Sequence, residues 1–215
     1  MRTCGSAQIA EICRIISELE AMAGSSNSSS PSLLFSILYI LSQDPERGRV
    51  QLARNLATSE QIIRSALKKL SDLGLLDISG RTKRLRGQLS SIFDCMLSRR
   101  IFHELELNDW MNPLLIGLQA SNIKDLTVSD ALLIRDEIIA WGGSAALIFY
   151  VKGRALEIPG IEEKEKFGKF LLREVKSRSG IYALVNTKYD YIDFHIFYGF
   201  VRKCCEILLR EKEVY

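Results

Sequence analysis

Arg64 and Lys68 stand one helical turn apart, with Gln61 and Ser65 at neighbouring helical positions and Lys69 beside them. Cationic heads at that spacing, flanked by amide and hydroxyl partners, suit guanine edges or phosphate oxygens in a DNA groove. Shortly after them, "SGRTKRLRG" sets Arg81, Lys83, Arg84 and Arg86 around a turn signal. Cations there would track a phosphate backbone, which supplies affinity and salt sensitivity but no direct base reading. Any one of these side chains alone is an ordinary solvated residue; their convergence is what points to DNA. Asp72 and Asp77 lie close by and would oppose phosphate, so they are expected to face away.

The charge map agrees. From Arg47 to His103 there are twelve basic and four acidic residues, a local charge of +8. The whole chain carries +3, so the remainder stands at −5. Segregation on this scale favours a polyanionic partner.

Other chemistry is poorly supplied. Five cysteines (Cys4, Cys13, Cys95, Cys204, Cys205) show no Cys-x-x-Cys pair and are expected as free thiols in a reducing compartment. His103 and His195 lie 92 positions apart, which makes a zinc site improbable, and no metal is expected. Asp130, Arg135, Asp136 and Glu137 form the densest polar group of the second half, and read as a solvated helix face. His195, inside "YIDFHIFYGF", reads as a packed core residue. No phosphate loop, Gly-x-Gly-x-x-Gly, Gly-x-Ser-x-Gly or paired-histidine motif occurs, so neither a catalytic residue nor a cofactor is assigned. The first twenty residues carry acids and do not read as a signal peptide, and no apolar run reaches membrane-spanning length. A cytoplasmic location is expected.

The elements that must position these residues follow from local signals. Residues 7–23 predict a helix whose Ile9, Ile12, Ile16 and Leu19 seam either pairs with a second subunit or covers its own chain. "GSSNSSSPS" is a linker, after which Ser30 caps and Pro31 opens a second helix. A short helix over 51–56 breaks at Ala57-Thr58-Ser59, and the spacing of Thr58 and Gln61 starts another that runs to about Leu73. Its buried stripe is Ile63, Ala66, Leu67 and Leu70, with Gly74 as the C-terminal left-handed residue. Leu76–Ile78 and Arg84–Leu89 read as strands around a Gly80–Lys83 turn, followed by a helix over 88–105 and a boundary at "ELNDWMNP". The second half reads strand ("PLLIGLQA"), helix capped by Thr127, two strands joined across Lys152-Gly153, helix, strand and long closing helix. That order, βαββαβ plus a helix, matches the split βαβ, ferredoxin-like arrangement. The expected fold class is α+β, with domains at 1–30, 31–111 and 112–215.

Through "VQLARNLATSEQIIRSALKKLSDLGLLDISGRTKRLRGQLS", segment 31–105 resembles a winged helix-turn-helix domain. The resemblance implies a recognition helix in the major groove and a hairpin wing on the flanking backbone. "VSDALLIRDEIIAWGGSAALIFYV" resembles the second domain of an uncharacterised archaeal family of winged-helix regulators, and feast-or-famine regulators offer a fold-level analogy. Together these imply a homodimeric transcriptional regulator on double-stranded DNA, its α/β half serving dimerisation, a small-molecule effector, or both. Two alternatives stay open: a winged helix used as a protein-interaction adaptor, and a small-molecule enzyme in the C-terminal half.

Overall fold

The computed structural model describes residues 3–23, 30–80, 82–87, 89–101, 110, 113–121, 123–162, 165–188 and 192–210. Most of the Ser-rich linker, Arg81, Gln88, His103, most of the "ELNDWMNP" boundary and Glu163 lie outside them. Among the described residues the chain is α+β, with eight helices and two antiparallel sheets. It forms two compact units, Glu11–Asp94 and Met1–Ala10 with Cys95–Tyr215. Helix α1 (Ser6–Ala23) spans both segments. Its Ile9, Ile12, Ile16 and Leu19 are buried.

In the Glu11–Asp94 unit, α2 (Pro31–Gln43) starts where sequence places it. Ser30 accepts a hydrogen bond from the Leu33 amide at 3.2 Å, and Pro31 occupies the first turn. The helix is apolar on every side and is buried from Ser32 to Leu41, as a central core helix must be. Phe93 packs on Phe35 and Tyr39 with ring centroids 5.8 and 6.2 Å apart. Helix α3 (Arg49–Asn55) turns at Ala57, whose φ of 46° is left-handed, into α4 (Glu60–Asp72). Ser59 caps α4 by accepting from the Ile62 amide, one residue later than the Thr58 start expected. Ile63, Ala66, Leu67 and Leu70 face the core, and Gly74 closes the helix at φ 70°. Strands β1 (Leu76–Ser79) and β2 (Thr82–Leu85) form a hairpin, with Gly80 at φ 58° in its turn. A short helix, α5 (Leu89–Phe93), completes the unit.

Sequence periodicity misleads next. The helix expected over 88–105 ends at Phe93, and β3 (Met96–Arg100) pairs antiparallel with β4 (Leu114–Gln119). Leu89, Ile92, Phe93, Met96 and Leu97 satisfy a helical stripe, but sheet pairing outweighs that local preference. Strand β3 therefore belongs to the C-terminal sheet, and the units divide at Asp94–Cys95 rather than at 111/112.

The second unit continues with α6 (Val128–Ala140), β5 (Ala145–Lys152), β6 (Ala155–Glu157), α7 (Glu165–Glu174), β7 (Gly180–Asn186) and α8 (Asp193–Leu209). The sheet order is β3-β4-β7-β5-β6, antiparallel throughout. The βαββαβ succession is present, but a ferredoxin-like sheet would insert β6 between β4 and β5. Strand β7 takes that place instead. It is buried from Gly180 to Val185, as a central strand should be, whereas three-residue β6 is partly exposed and suits an edge.

One sheet face packs Leu115, Phe149, Val151, Tyr182 and Leu184 with Leu171 and Val175 from the α7 side. Helices α6 and α8 pack on the sheet as well as on each other. Tyr182 lies over Gly117, where an added Cβ would sit 2.3 Å from its ring, and stacks on Phe149 at 5.3 Å. Gly117→Ala is expected to destabilise the protein by about 1–3 kcal/mol, because the ring must shift inside a filled core. Chemical denaturation measures this.

The expected free thiols are also corrected. Cys4 and Cys95 form a disulfide with Cα atoms 5.6 Å apart, both side chains fully buried. Cys4 is held in register as well, donating to the Gln119 carbonyl at 3.0 Å and accepting from the Ser121 amide at 2.9 Å. Ninety-one positions separate the two cysteines, so sequence proximity gives no hint of the pair. Cys13 and Cys205 are disulfide-bonded as well, which leaves Cys204 free among the described residues, and burial pushes its thiol pKa well up.

Candidate nucleic-acid interface

Helix α4 carries the candidate residues because its apolar stripe is committed to the core. With Ile63, Ala66, Leu67 and Leu70 turned inward, Gln61, Arg64 and Lys68 are left exposed, and Ser65 and Lys69 half-buried. Among the described residues, neither Arg64 nor Lys68 enters a hydrogen bond or ion pair. Both line an open groove of about 710 Å³ that runs along α3, α4 and the hairpin. Arg49, at the start of α3, lines the same groove and was not among the candidates drawn from sequence. Its signal was present: it heads the helix before the turn, within the basic window.

The groove is not uniformly cationic. Glu46, Glu60 and Asp72 also line it, so the expectation that Asp72 turns away fails. Val50 and Ile78 contribute apolar surface there, 45% and 44% exposed respectively.

The hairpin divides its cations between two faces. Cross-strand pairing sets Leu76 opposite Leu85 and Ile78 opposite Lys83, so these four share one side. Lys83 is accordingly buried, its ammonium donating to the Arg47 carbonyl at 3.0 Å. Burial first, and the nearby Arg49 charge second, hold its pKa below the ordinary lysine value. Lys83 is thus a tether between the hairpin and the α2–α3 connection, not an outward phosphate contact. Arg84 is exposed on the other side. Arg86 is exposed too, but its guanidinium pairs with Asp77 at 2.6 Å, which neutralises both. Asp77 lies with Arg84 on that outer side of the hairpin, away from the groove-lining Ile78 and Lys83. Arg81 lies outside the described residues.

A Lys83→Met substitution separates the two roles. It is expected to cost about 1–2 kcal/mol by stranding the Arg47 carbonyl, with little change in the salt dependence of DNA binding. A phosphate contact would instead lower the log–log salt slope by about 0.9.

Several polar side chains of the second unit are part-buried and paired. Glu137 is not on a solvated face: it accepts from Trp141 Nε1 at 2.6 Å and from Arg202 Nη2 at 2.6 Å. Asp130 forms a capping box with Thr127, and Arg135 pairs with the adjacent Asp136 at the surface. Arg100 forms a part-buried pair with Asp193, with Nε 2.9 Å from the carboxylate, and also bonds Thr187. His195 is half-buried against Trp141, their rings stacked at 6.4 Å, and burial lowers its pKa. These contacts knit α6, α8 and the sheet together.

Among the described residues, no helix is long and apolar enough to cross a membrane. No family model matches the chain, and no curated protein matches it. A solved structure, hypothetical protein PH0730 from Pyrococcus horikoshii OT3, is similar at 17% identity and a TM-score of 0.59. The match covers 86% of this chain and 94% of that one, and the likeness is one of fold.

Proposed function

We propose that the protein is a DNA-binding transcriptional regulator whose Glu11–Asp94 unit acts as a winged helix-turn-helix. Helix α4 enters the major groove, where Arg64 and Lys68 reach base edges or phosphates and Gln61 and Ser65 add hydrogen bonds. Lys69 adds charge at the same helix. The hairpin follows the flanking backbone, chiefly through Arg84, with Arg86 available once its pairing with Asp77 is exchanged for phosphate. The observation that carries this reading is the pair of unengaged, outward cations one turn apart on α4, directly preceding a basic two-stranded hairpin.

The active species is a homodimer placing two α4 helices on a pseudo-palindromic site, and the C-terminal unit serves association, effector sensing, or both. Neither catalysis nor a cofactor is part of this reading. The protein works in the cytoplasm, as the resemblance to archaeal regulators implies. Selection of bound fragments from random duplexes tests the proposal. Enrichment of two half-sites about 34 Å apart is expected, and no enrichment over input would overturn it.

The second reading, a protein-interaction module, is favoured by Glu46, Glu60 and Asp72 in the groove and by exposed Val50 and Ile78. Mixed charge with apolar patches suits a peptide better than a phosphate strand does. Retention of a protein partner, with duplex binding absent at low salt, would select it.

A further inference from the structure

Helix α6 has two apolar faces, and only one is used. Ala131, Ile134 and Ile138 are buried. Roughly 100° round the helix from them, Val128, Leu132 and Ile139 are 51%, 42% and 44% exposed. Their spacing, with Arg135 between them, is four, three and four residues, the seam of a helix that packs against another helix. A surface helix ordinarily turns polar residues to this side. The apolar area continues past the helix: an added Cβ at Gly160 would lie 3.7 Å from Val128, and Ile161 beside it is 42% exposed.

The charges in the seam indicate what covers it. Arg135 and Asp136 are adjacent, exposed and paired with each other at 2.9 Å. Set two α6 helices antiparallel about a two-fold axis between positions 135 and 136. Arg135 then meets Asp136 of the second copy, and Asp136 meets its Arg135. Leu132 falls opposite Ile139 of the second copy on each flank. The face is complementary to itself, as a two-fold interface requires. A stable dimer buries roughly 800 Å² per partner, more than one short helix supplies, so the Val128–Ile161 surface is needed as well.

We propose that the outer face of α6, flanked by the Ile158–Ile161 turn, is the homodimer interface of this protein, with a second copy of the chain as its occupant. The inference concerns only the dimeric part of the functional reading. A monomer that still binds duplex DNA would refute it and leave DNA binding intact.

Charge reversal gives a test that a general sticky patch cannot pass. Arg135→Asp alone sets like charges face to face, as does Asp136→Arg alone, and each is expected to weaken dimerisation about 100-fold. Mixing the two variants restores both ion pairs, so sedimentation equilibrium of the mixture, without DNA, should return dimer close to wild type. Leu132→Glu, which no partner variant rescues, should remain monomeric. Circular dichroism checks folding, and the exposure of all three positions favours it. A monomeric wild type at about 100 μM, well above the Kd of a standard-sized interface, overturns the proposal. So do single variants that stay dimeric, or a mixture that fails to reassociate.

Discussion

Replacing Arg64 and Lys68 together with alanine should weaken duplex binding by roughly 100-fold near 100 mM salt, at about 1–3 kcal/mol for each lost contact. Both side chains are exposed on α4, line the groove and are engaged by nothing else among the described residues. Their removal leaves the Ile63, Ala66, Leu67 and Leu70 core face untouched, so folding should be unaffected. If both touch phosphate, the log–log salt slope should also fall by about 2. Glu162→Gln, an exposed charge change in the other unit, serves as the control and should shift affinity little. Fluorescence anisotropy over a salt series reads both quantities. Equal effects from the double variant and the control would remove the recognition-helix assignment.

The largest stability effect should come from the Cys4–Cys95 disulfide. Closing 91 positions of chain between Cys4 and Cys95 stabilises the folded state by about 4–5 kcal/mol in the chain-entropy account. Cys4→Ser with Cys95→Ser should therefore lower Tm by roughly 10–20 °C for a chain of this size. Both sulfurs are fully buried, so intact protein should resist mild reductant and yield only once unfolding exposes the bond. Differential scanning calorimetry with and without reductant measures this. A double variant with unchanged Tm would show that the bond contributes nothing in solution.

What could be read from sequence was local. Ser30-Pro31, Thr127 and Gly74 act on backbone groups within a turn of themselves, and each sits where its chemistry required. The inward stripe of α4 was equally plain, because a 3.6-residue period admits one interpretation over thirteen residues. What failed depended on distant partners. Met96 and Leu97 continue a helical stripe, yet β4 recruits them into the sheet. Strand β7 claims the position that a ferredoxin-like order gives to β6. Cys95 finds Cys4 across most of the N-terminal half of the chain.

The site divides the same way. Arg64 and Lys68 follow from helix geometry alone. Lys83 did not, although strand alternation held the clue: it shares a face with buried Leu76 and so turns inward, while Arg84 turns outward. Counting cations in "TKRLRG" hides that split. The pairing of Asp77 with Arg86 left no sequence signal, because the two meet only after the hairpin folds.

The most direct measurement is equilibrium binding of the wild-type protein to a random-sequence duplex between about 50 and 300 mM salt. A handful of phosphate contacts predicts a straight log–log decline with a slope of roughly −3 to −5. Binding that ignores salt, or none at the lowest salt, would contradict a surface built to meet a nucleic acid.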